Sequence, residues 1–154
     1  MTELVYQPRG QYYEEFEIGQ LFITVGRTIT ETDIVNFAGL SGDFNQIHTD
    51  AAYAAQDSFG QRVAHGLLVQ SIATGLAAQS GMIEGTVLSF REQTAKFSRP
   101  VFIGDTVYVK IEITEKRPLP RLGGGNINMK YRIINQEGKM VQRGDWSMLV
   151  KSRG

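Results

Sequence analysis

The run GLLVQSIATGLAAQ, residues 66–79, constrains the fold of this chain more than any other segment. Nearly every position in it is apolar or small, and none of them is charged. A helix without a charged face is buried on most of its sides, so other elements must cover it. Small residues such as Ala73, Gly75 and Ala77 allow a sheet to pack closely around such a helix. We therefore predict a long core helix over Gly66–Gln79.

Beyond this helix the sequence has the pattern of β-strands separated by turns. Segments rich in β-branched and aromatic residues predict four strands, at residues 86–97, 106–116, 126–134 and 140–150. Within the second of these strands, Val107, Val109 and Ile111 alternate with more polar residues. This alternation is typical of a strand with one buried face.

The residues ahead of the core helix predict one strand followed by shorter helices. Residues 20–30 favour a strand, Thr30 or Thr32 can cap a helix, and residues 50–56 predict a short helix. One strand, a helical block and four antiparallel strands describe an α+β domain, and we assign residues 1–154 to a single domain of this class. The edges of such a sheet need cover, so we expect a homodimer or a larger oligomer built from dimers.

The composition excludes several classes of function. Sixteen basic residues balance sixteen acidic ones, which argues against a nucleic-acid partner. The absence of cysteine excludes disulfides, thiolate metal sites and a cysteine nucleophile. No apolar run approaches the roughly 20 residues that span a bilayer, so we expect no membrane partner. Residues 1–20 are polar and acidic, unlike a secretory signal, and we expect a cytoplasmic protein.

The sharpest cluster of reactive residue types is the segment 42–48 (GDFNQIH). A carboxylate, Asp43, and an imidazole, His48, lie on a predicted loop that can turn both side chains toward one point. Both groups can take and give protons near neutral pH. The alternative is structural, because Asp and Asn commonly cap helices and stabilise turns. We favour that structural role for Asn45, and both interpretations stay open for Asp43.

A second cluster, VAHGLL at residues 63–68, lies at the start of the predicted core helix. Gly66 would place backbone N–H groups without helical partners at a helix N-terminus, where negative charge is stabilised. An oxyanion hole of this kind needs a residue with no side chain in the path of the ligand. We expect His65 to hydrogen-bond backbone atoms at the turn. Ser71 and Thr74, further along the helix, are candidates for contact with a ligand.

Together these segments resemble the hydratase-2 signature of the MaoC-type (R)-specific enoyl-CoA hydratases. The loop of that family has the form G-D-x-N-P-x-H, which residues 42–48 match except at Gln46, where family members often carry Pro. The segments 64–66 (AHG) and 97–105 (FSRPVFIGD) add to the resemblance, which covers residues 16–150. The departure at Gln46 leaves both reactive residues of the loop in place.

The resemblance implies a hot-dog fold, a curved antiparallel sheet wrapped around one long buried helix, and a dimer with the substrate at its interface. It implies that Asp43 and His48 catalyse the reversible hydration of trans-2-enoyl-CoA to (3R)-3-hydroxyacyl-CoA. We assign Gly66, Asn45, His65 and Ser71 to the substrate-binding surroundings. No metal or other cofactor is expected, because coenzyme A enters as part of the substrate. The candidate partners for its phosphates are Arg91, Lys96, Arg99, Arg121 and Lys130.

Three alternatives remain beside the hydratase. The hot-dog fold also hosts acyl-CoA thioesterases and acyl-carrier-protein dehydratases, and a fold alone does not choose among activities. A non-catalytic acyl-binding subunit is the third alternative, and it leaves the Asp43–His48 pair unexplained. The sequence does not distinguish a coenzyme A thioester from a carrier-protein thioester.

Overall fold

A computed structural model describes the whole chain, Met1–Gly154. The helices are α1 Glu31–Ser41, α2 Gln46–Thr49, α3 Ala51–Gln56 and α4 Gly66–Gln79. The strands are β1 Leu21–Ile23, β2 Arg27–Thr28, β3 Val87–Gln93, β4 Lys96–Phe97, β5 Thr106–Leu119, β6 Gly124–Asn135 and β7 Met140–Lys151. The α+β class predicted from the sequence is confirmed, and so are both bounds of the predicted core helix, α4.

The seven strands form one antiparallel sheet in the order β1-β5-β6-β7-β3. Strand β2 also pairs with β5, and β4 also pairs with β7, so each end of the sheet carries two short strands in line. The predicted strand at 86–97 is therefore two strands, β3 and β4, and β3 contains two irregularities of register against β7. Strand β3 at one end of the sheet and β1 at the other have no partner on their outer sides, so both edges are open.

Helix α4 packs against the buried face of this sheet. Val107, Val109 and Ile111 of β5 are fully buried, as their alternation predicted, and they share one hydrophobic core with Val69 and Leu76 of α4. The prediction that α4 is buried on most sides is confirmed, and one stripe is open, because Ser71 and Ala78 are exposed and Leu67 is 61% exposed. A helix that packs on one sheet keeps its opposite side free.

The predicted strand at residues 20–30 is interrupted at Thr24–Gly26. Between the pair Ile23–Lys110 and the pair Arg27–Val107, this segment has one residue more than β5. The hydroxyl of Thr24 accepts a hydrogen bond from the N–H of Val109 at 2.9 Å, in place of a main-chain carbonyl. This bulge divides the predicted strand into β1 and β2.

Candidate active site

The site begins where helix α1 ends, at Gly42. Gly42 has φ +76°, a left-handed conformation that glycine adopts without strain and that turns the chain out of the helix. Asn45 then caps α2, with its side-chain oxygen accepting from the N–H of Ile47 at 3.5 Å. The structural role predicted for Asn45 is confirmed by this bond. His48 lies on this one-turn helix, whereas the sequence predicted a loop.

The environment of His48 fixes which ring nitrogen carries its hydrogen. Its Nδ1 lies 2.7 Å from the carbonyl oxygen of Val63, and because a carbonyl only accepts, Nδ1 is the donor. The other nitrogen, Nε2, then carries a lone pair when the ring is neutral. Nε2 lies 4.0 Å from Oδ2 of Asp43. The His48 side chain is 10% exposed and that of Asp43 is 51% exposed, so the pair opens to solvent on the Asp43 side.

A separation of 4.0 Å is too long for a direct hydrogen bond between the two side chains. Both facing atoms are acceptors when the imidazole is neutral and the carboxylate is ionised. A water molecule has two O–H groups and can donate one to each acceptor. The arrangement is therefore suited to holding a water molecule between a carboxylate and an imidazole.

Burial lowers the pKa of His48 below its ordinary value of 6.5, because desolvation penalises the charged ring. The hydrogen bond to Val63 and the charge of Asp43 act in the opposite direction, and proximity to His65 adds to the lowering. With a lowered pKa the ring is neutral at neutral pH. A neutral His48 has the lone pair that a general base requires.

The lowered pKa of His48 predicts how stability depends on pH. The native imidazole binds its proton less tightly than the unfolded one, whose pKa is near 6.5. Neutral His48 therefore contributes fully to the free energy of unfolding above about pH 6.5. This contribution is lost as the pH falls from there through the lower native pKa. We expect the free energy of unfolding of His48→Gln, measured with urea, to decline less between about pH 7.5 and about pH 5 than that of the unsubstituted protein. Parallel curves for the two proteins would contradict the prediction.

His65 is the second histidine of the chain and is 2% exposed. Its Nε2 lies 2.9 Å from the main-chain oxygen of Asp43, so His65 does bond to backbone as predicted, but to a partner twenty-two residues earlier and not to its own turn. The rings of His48 and His65 are stacked, with centroids 3.9 Å apart and an interplanar angle of 26°. The structure therefore brings together Asp43, His48 and His65.

A cavity of about 490 Å³ opens beside this cluster. Its wall includes His48, Gly66, Phe97, Arg99 and Gln142. It does not include Asp43, Asn45, His65 or Ser71, and the hydroxyl of Ser71 donates to the carbonyl of Leu67 in its own helix. Two cavities of about 600 and 520 Å³ lie elsewhere, and neither contains a histidine.

The first turn of α4 faces the same cavity through Gly66. Gly66 is the first residue of the helix, where backbone N–H groups have no intrahelical partner. A side-chain carbon added at Gly66 would lie 2.6 Å from the ring of Phe97, so a residue without a side chain is needed for the present packing. The predicted oxyanion donor and the predicted base thus line one cavity.

Several contacts that build the site were not found from the sequence. The carbonyl of Val63 holds Nδ1 of His48, and the Nε of Arg62 donates to the main-chain oxygen of His48 at 2.7 Å. Ala64 donates to the carbonyl of Val101 at 2.8 Å, which ties the FSRPVFIGD segment to the start of α4. These partners are backbone atoms or lie far away in the sequence, so no local pattern indicates them. The one local signal in this segment is Asn45, a residue type that commonly caps helices and so indicates the start of α2.

Of the predicted coenzyme A contacts, Arg99 alone lines the cavity that contains His48. Lys96 and Lys130 line the cavity of about 520 Å³, and Arg91 lines the one of about 600 Å³.

The one cluster with the geometry to hold a metal ion consists of Asp43, His48 and His65. One ligand atom from each of these residues lies within 4.8 Å of the others. None of the helices has the length and apolar character needed to cross a membrane.

Comparisons with known proteins agree with this architecture. The family model described as MaoC like domain matches residues 15–129. An (R)-specific enoyl-CoA hydratase of Rhodospirillum rubrum is 33% identical over 144 residues, which are 93% of this chain and 94% of that protein. Protein MaoC of Klebsiella aerogenes is 39% identical over 109 residues, which are 71% of this chain but only 32% of that longer protein.

Solved structures show the same fold. An R-hydratase of Pseudomonas aeruginosa in its unliganded form superposes with a TM-score of 0.77 at 36% identity, covering 92% of this chain and 86% of that one. A Mycobacterium tuberculosis protein described as a double hotdogfold gives a TM-score of 0.82 at 21% identity, covering 96% of this chain and 46% of that one. The fold is therefore the hot dog, as the resemblance implied. By sequence match and by fold, the chain belongs to the MaoC-like domain family.

Proposed function

We propose that this protein is an (R)-specific enoyl-CoA hydratase, which adds water reversibly to a trans-2-enoyl-CoA to form a (3R)-3-hydroxyacyl-CoA. The observation that carries the proposal is the separation of 4.0 Å between Oδ2 of Asp43 and the free Nε2 of His48, beside the cavity that contains Gly66. The relatives named (R)-specific enoyl-CoA hydratase support it. A relative named 3-hydroxybutyryl-CoA dehydratase, 37% identical, supports the reverse direction.

In the proposed reaction Asp43 and His48 act together on one water. Each side chain accepts a hydrogen bond from the water, and one of them takes its proton while the oxygen bonds to C3 of the enoyl group. The C2–C3 π electrons move toward the thioester oxygen and give an enolate. The protonated side chain then returns the proton to C2 on the same face. One water is consumed, and no electrons leave the substrate.

The negative charge on the thioester oxygen needs a donor at the opposite side of the reacting carbons. We assign this role to the N–H of Gly66, at the positive end of helix α4. This helix has fourteen residues and its first N–H groups are free of intrahelical partners. The absence of a side chain at Gly66 lets a thioester oxygen approach this N–H.

The proposed substrate carries its coenzyme A through the cavity mouth near Arg99. The guanidinium of Arg99 donates to the carbonyl of Met140 at 2.7 Å, which holds it at the cavity wall. A phosphate needs a cation of this kind. The proposed chemistry uses acid–base groups of the chain and a substrate-borne coenzyme A, and it calls for no resident cofactor or metal.

A second copy of the chain is the proposed partner of the open edge at β3. Leu88 and Phe90 on that strand are 43% and 44% exposed, and Phe97 on β4 is 54% exposed. Leu67 of α4, which lines one cavity with Phe97, is exposed as well. Two copies can cover the unpaired strand and its apolar side chains by joining their sheets. Sedimentation equilibrium should give twice the mass of the chain or a multiple of that dimer. A monomer at assay concentration would contradict this.

The first test is to incubate the purified protein with crotonyl-CoA and follow the loss of enoyl thioester absorbance. Formation of (R)-3-hydroxybutyryl-CoA without free thiol is the expected result. The matched control is the His48→Ala variant, which should leave the substrate unchanged over the same time. Release of free coenzyme A would instead assign a thioesterase.

The remaining alternatives give different results in the same experiment. Turnover of a crotonyl carrier-protein thioester, with none of crotonyl-CoA, would identify a carrier-protein dehydratase. Saturable binding of crotonyl-CoA and longer enoyl-CoA esters without product would identify a non-catalytic acyl-binding subunit. The (S) product would contradict the stereochemical part of the proposal alone.

A further inference from the structure

His65 makes contacts that its place at the start of α4 does not require. It is the N-cap residue of that helix, yet its side chain makes no capping hydrogen bond. Its Nε2 instead reaches the main-chain oxygen of Asp43, twenty-two residues earlier in the chain, at 2.9 Å. Since a carbonyl only accepts, Nε2 of His65 carries the hydrogen. His48 donates from its other nitrogen, Nδ1, so the two stacked rings are opposite tautomers.

The second ring nitrogen of His65 has no partner. Its Nδ1 is buried and makes no hydrogen bond, although nearly all buried polar atoms in proteins have one. The main-chain oxygen of Asp43 belongs to an exposed residue, but its hydrogen bond with His65 is partly buried. A buried imidazole with one unsatisfied nitrogen thus holds a carbonyl of the segment that carries the catalytic carboxylate.

The effect of these contacts is to hold both members of the catalytic pair. The carboxylate of Asp43 accepts from the N–H of Asn45 through Oδ1 at 3.1 Å, which leaves Oδ2 facing His48. With the carbonyl of the same residue held by His65, Asp43 is fixed at its main chain and its side chain. The His65 ring also lies against the ring of His48, and the ring of Phe37 packs on His65 at 4.9 Å.

We propose that His65 is a positioning residue whose Nε2–H sets the spacing between the carboxylate of Asp43 and Nε2 of His48. This rests on the proposed hydratase function of that pair. We assign His65 no contact with the water or the substrate, because its Nε2 donates to the main-chain oxygen of Asp43 and the residue is only 2% exposed. The hydrogen bond to Asp43 carries the effect, and the stacked ring is secondary to it.

Two substitutions separate the hydrogen bond from the ring. In His65→Gln the side-chain amide nitrogen reaches about as far as imidazole Nε2, so the donor is kept and the ring is lost. In His65→Phe the ring is kept and the donor is lost. We expect His65→Phe to lower kcat at least about 30-fold with KM within about 3-fold, and His65→Gln to stay within about 5-fold of the original kcat, because small displacements of reacting groups are costly.

The unfolding temperature of each variant is the companion measurement. A purely structural role predicts that kcat falls in step with the unfolding temperature in both variants. An unchanged kcat in His65→Phe, or equal losses in the two variants, would overturn the proposal. Either result leaves the hydratase assignment intact, since the unsubstituted protein is assayed beside them.

A tautomer measurement tests the hydrogen bond on which the proposal rests, without reference to activity. The chain contains two histidines, so long-range proton–nitrogen NMR spectra show two imidazoles and the His65 variants assign them. Nε2–H for His65 and Nδ1–H for His48 are expected. An Nδ1–H tautomer at His65 would overturn the proposal, whereas an inactive protein with the expected tautomers would overturn the hydratase function alone.

Discussion

Asp43→Asn is expected to reduce hydration of enoyl-CoA at least about 100-fold, as is typical for the loss of an acid–base group. The amide is the same size as the carboxylate and can still accept from the N–H of Asn45 through its oxygen. It has no negative charge, and an NH₂ group in the place of Oδ2 presents a donor where the water needs an acceptor. Because the Asp43 side chain is 51% exposed, the free energy of unfolding should change little.

His48→Ala should reduce turnover by at least about 100-fold as well, and the double variant should be no slower than the slower single variant. This lack of additivity is expected if both side chains act on one water. Glu137→Gln is the control for loss of a carboxylate, since Glu137 is exposed in the β6–β7 turn and should leave turnover unchanged. Near-normal activity in both Asp43→Asn and His48→Ala would refute the catalytic assignment.

Gly66→Pro should reduce turnover about 100-fold or more, because it removes the N–H assigned to the thioester oxygen. Proline is well tolerated at the first position of a helix, where its missing N–H has no helical partner. His65, the preceding residue, has φ −57° and ψ 134°, the extended conformation that a following proline requires. The helix should therefore form in the variant.

Gly66→Ala is the matched control for this substitution. It places the same first carbon against the ring of Phe97 and retains the N–H. The loss shared by both variants measures crowding against Phe97, and the additional loss in Gly66→Pro measures the donor. Equal activities of the two variants, with circular dichroism unchanged, would show that the Gly66 N–H does not contribute to catalysis.

The sequence predicted the elements whose signals are long and local. Helix α4 has the predicted bounds, because its apolar and small residues begin at Gly66 and are followed by the polar residues Gln79 and Ser80. The burial of alternate residues in β5 was predicted from its period of two. The pairing of Asp43 with His48 was inferred because both lie on one short segment.

The features that the sequence did not predict depend on short elements or distant partners. Helix α2 is a single turn, too short to show a helical period, so His48 was predicted on a loop. The tautomer of His48 depends on Val63, fifteen residues away, and the placement of Asp43 depends on His65, twenty-two residues away. The break at Thr24 depends on one extra residue opposite β5, which a period of two does not reveal.

The reacting groups come from one part of the chain, and the cavity wall adds residues from the sheet to them. Asp43, His48 and Gly66 lie within 24 consecutive residues ahead of the main strands, whereas Phe97 and Gln142 of the wall belong to β4 and β7. Substitution of wall residues in the sheet is therefore a route to new acyl specificity that does not replace Asp43, His48 or Gly66.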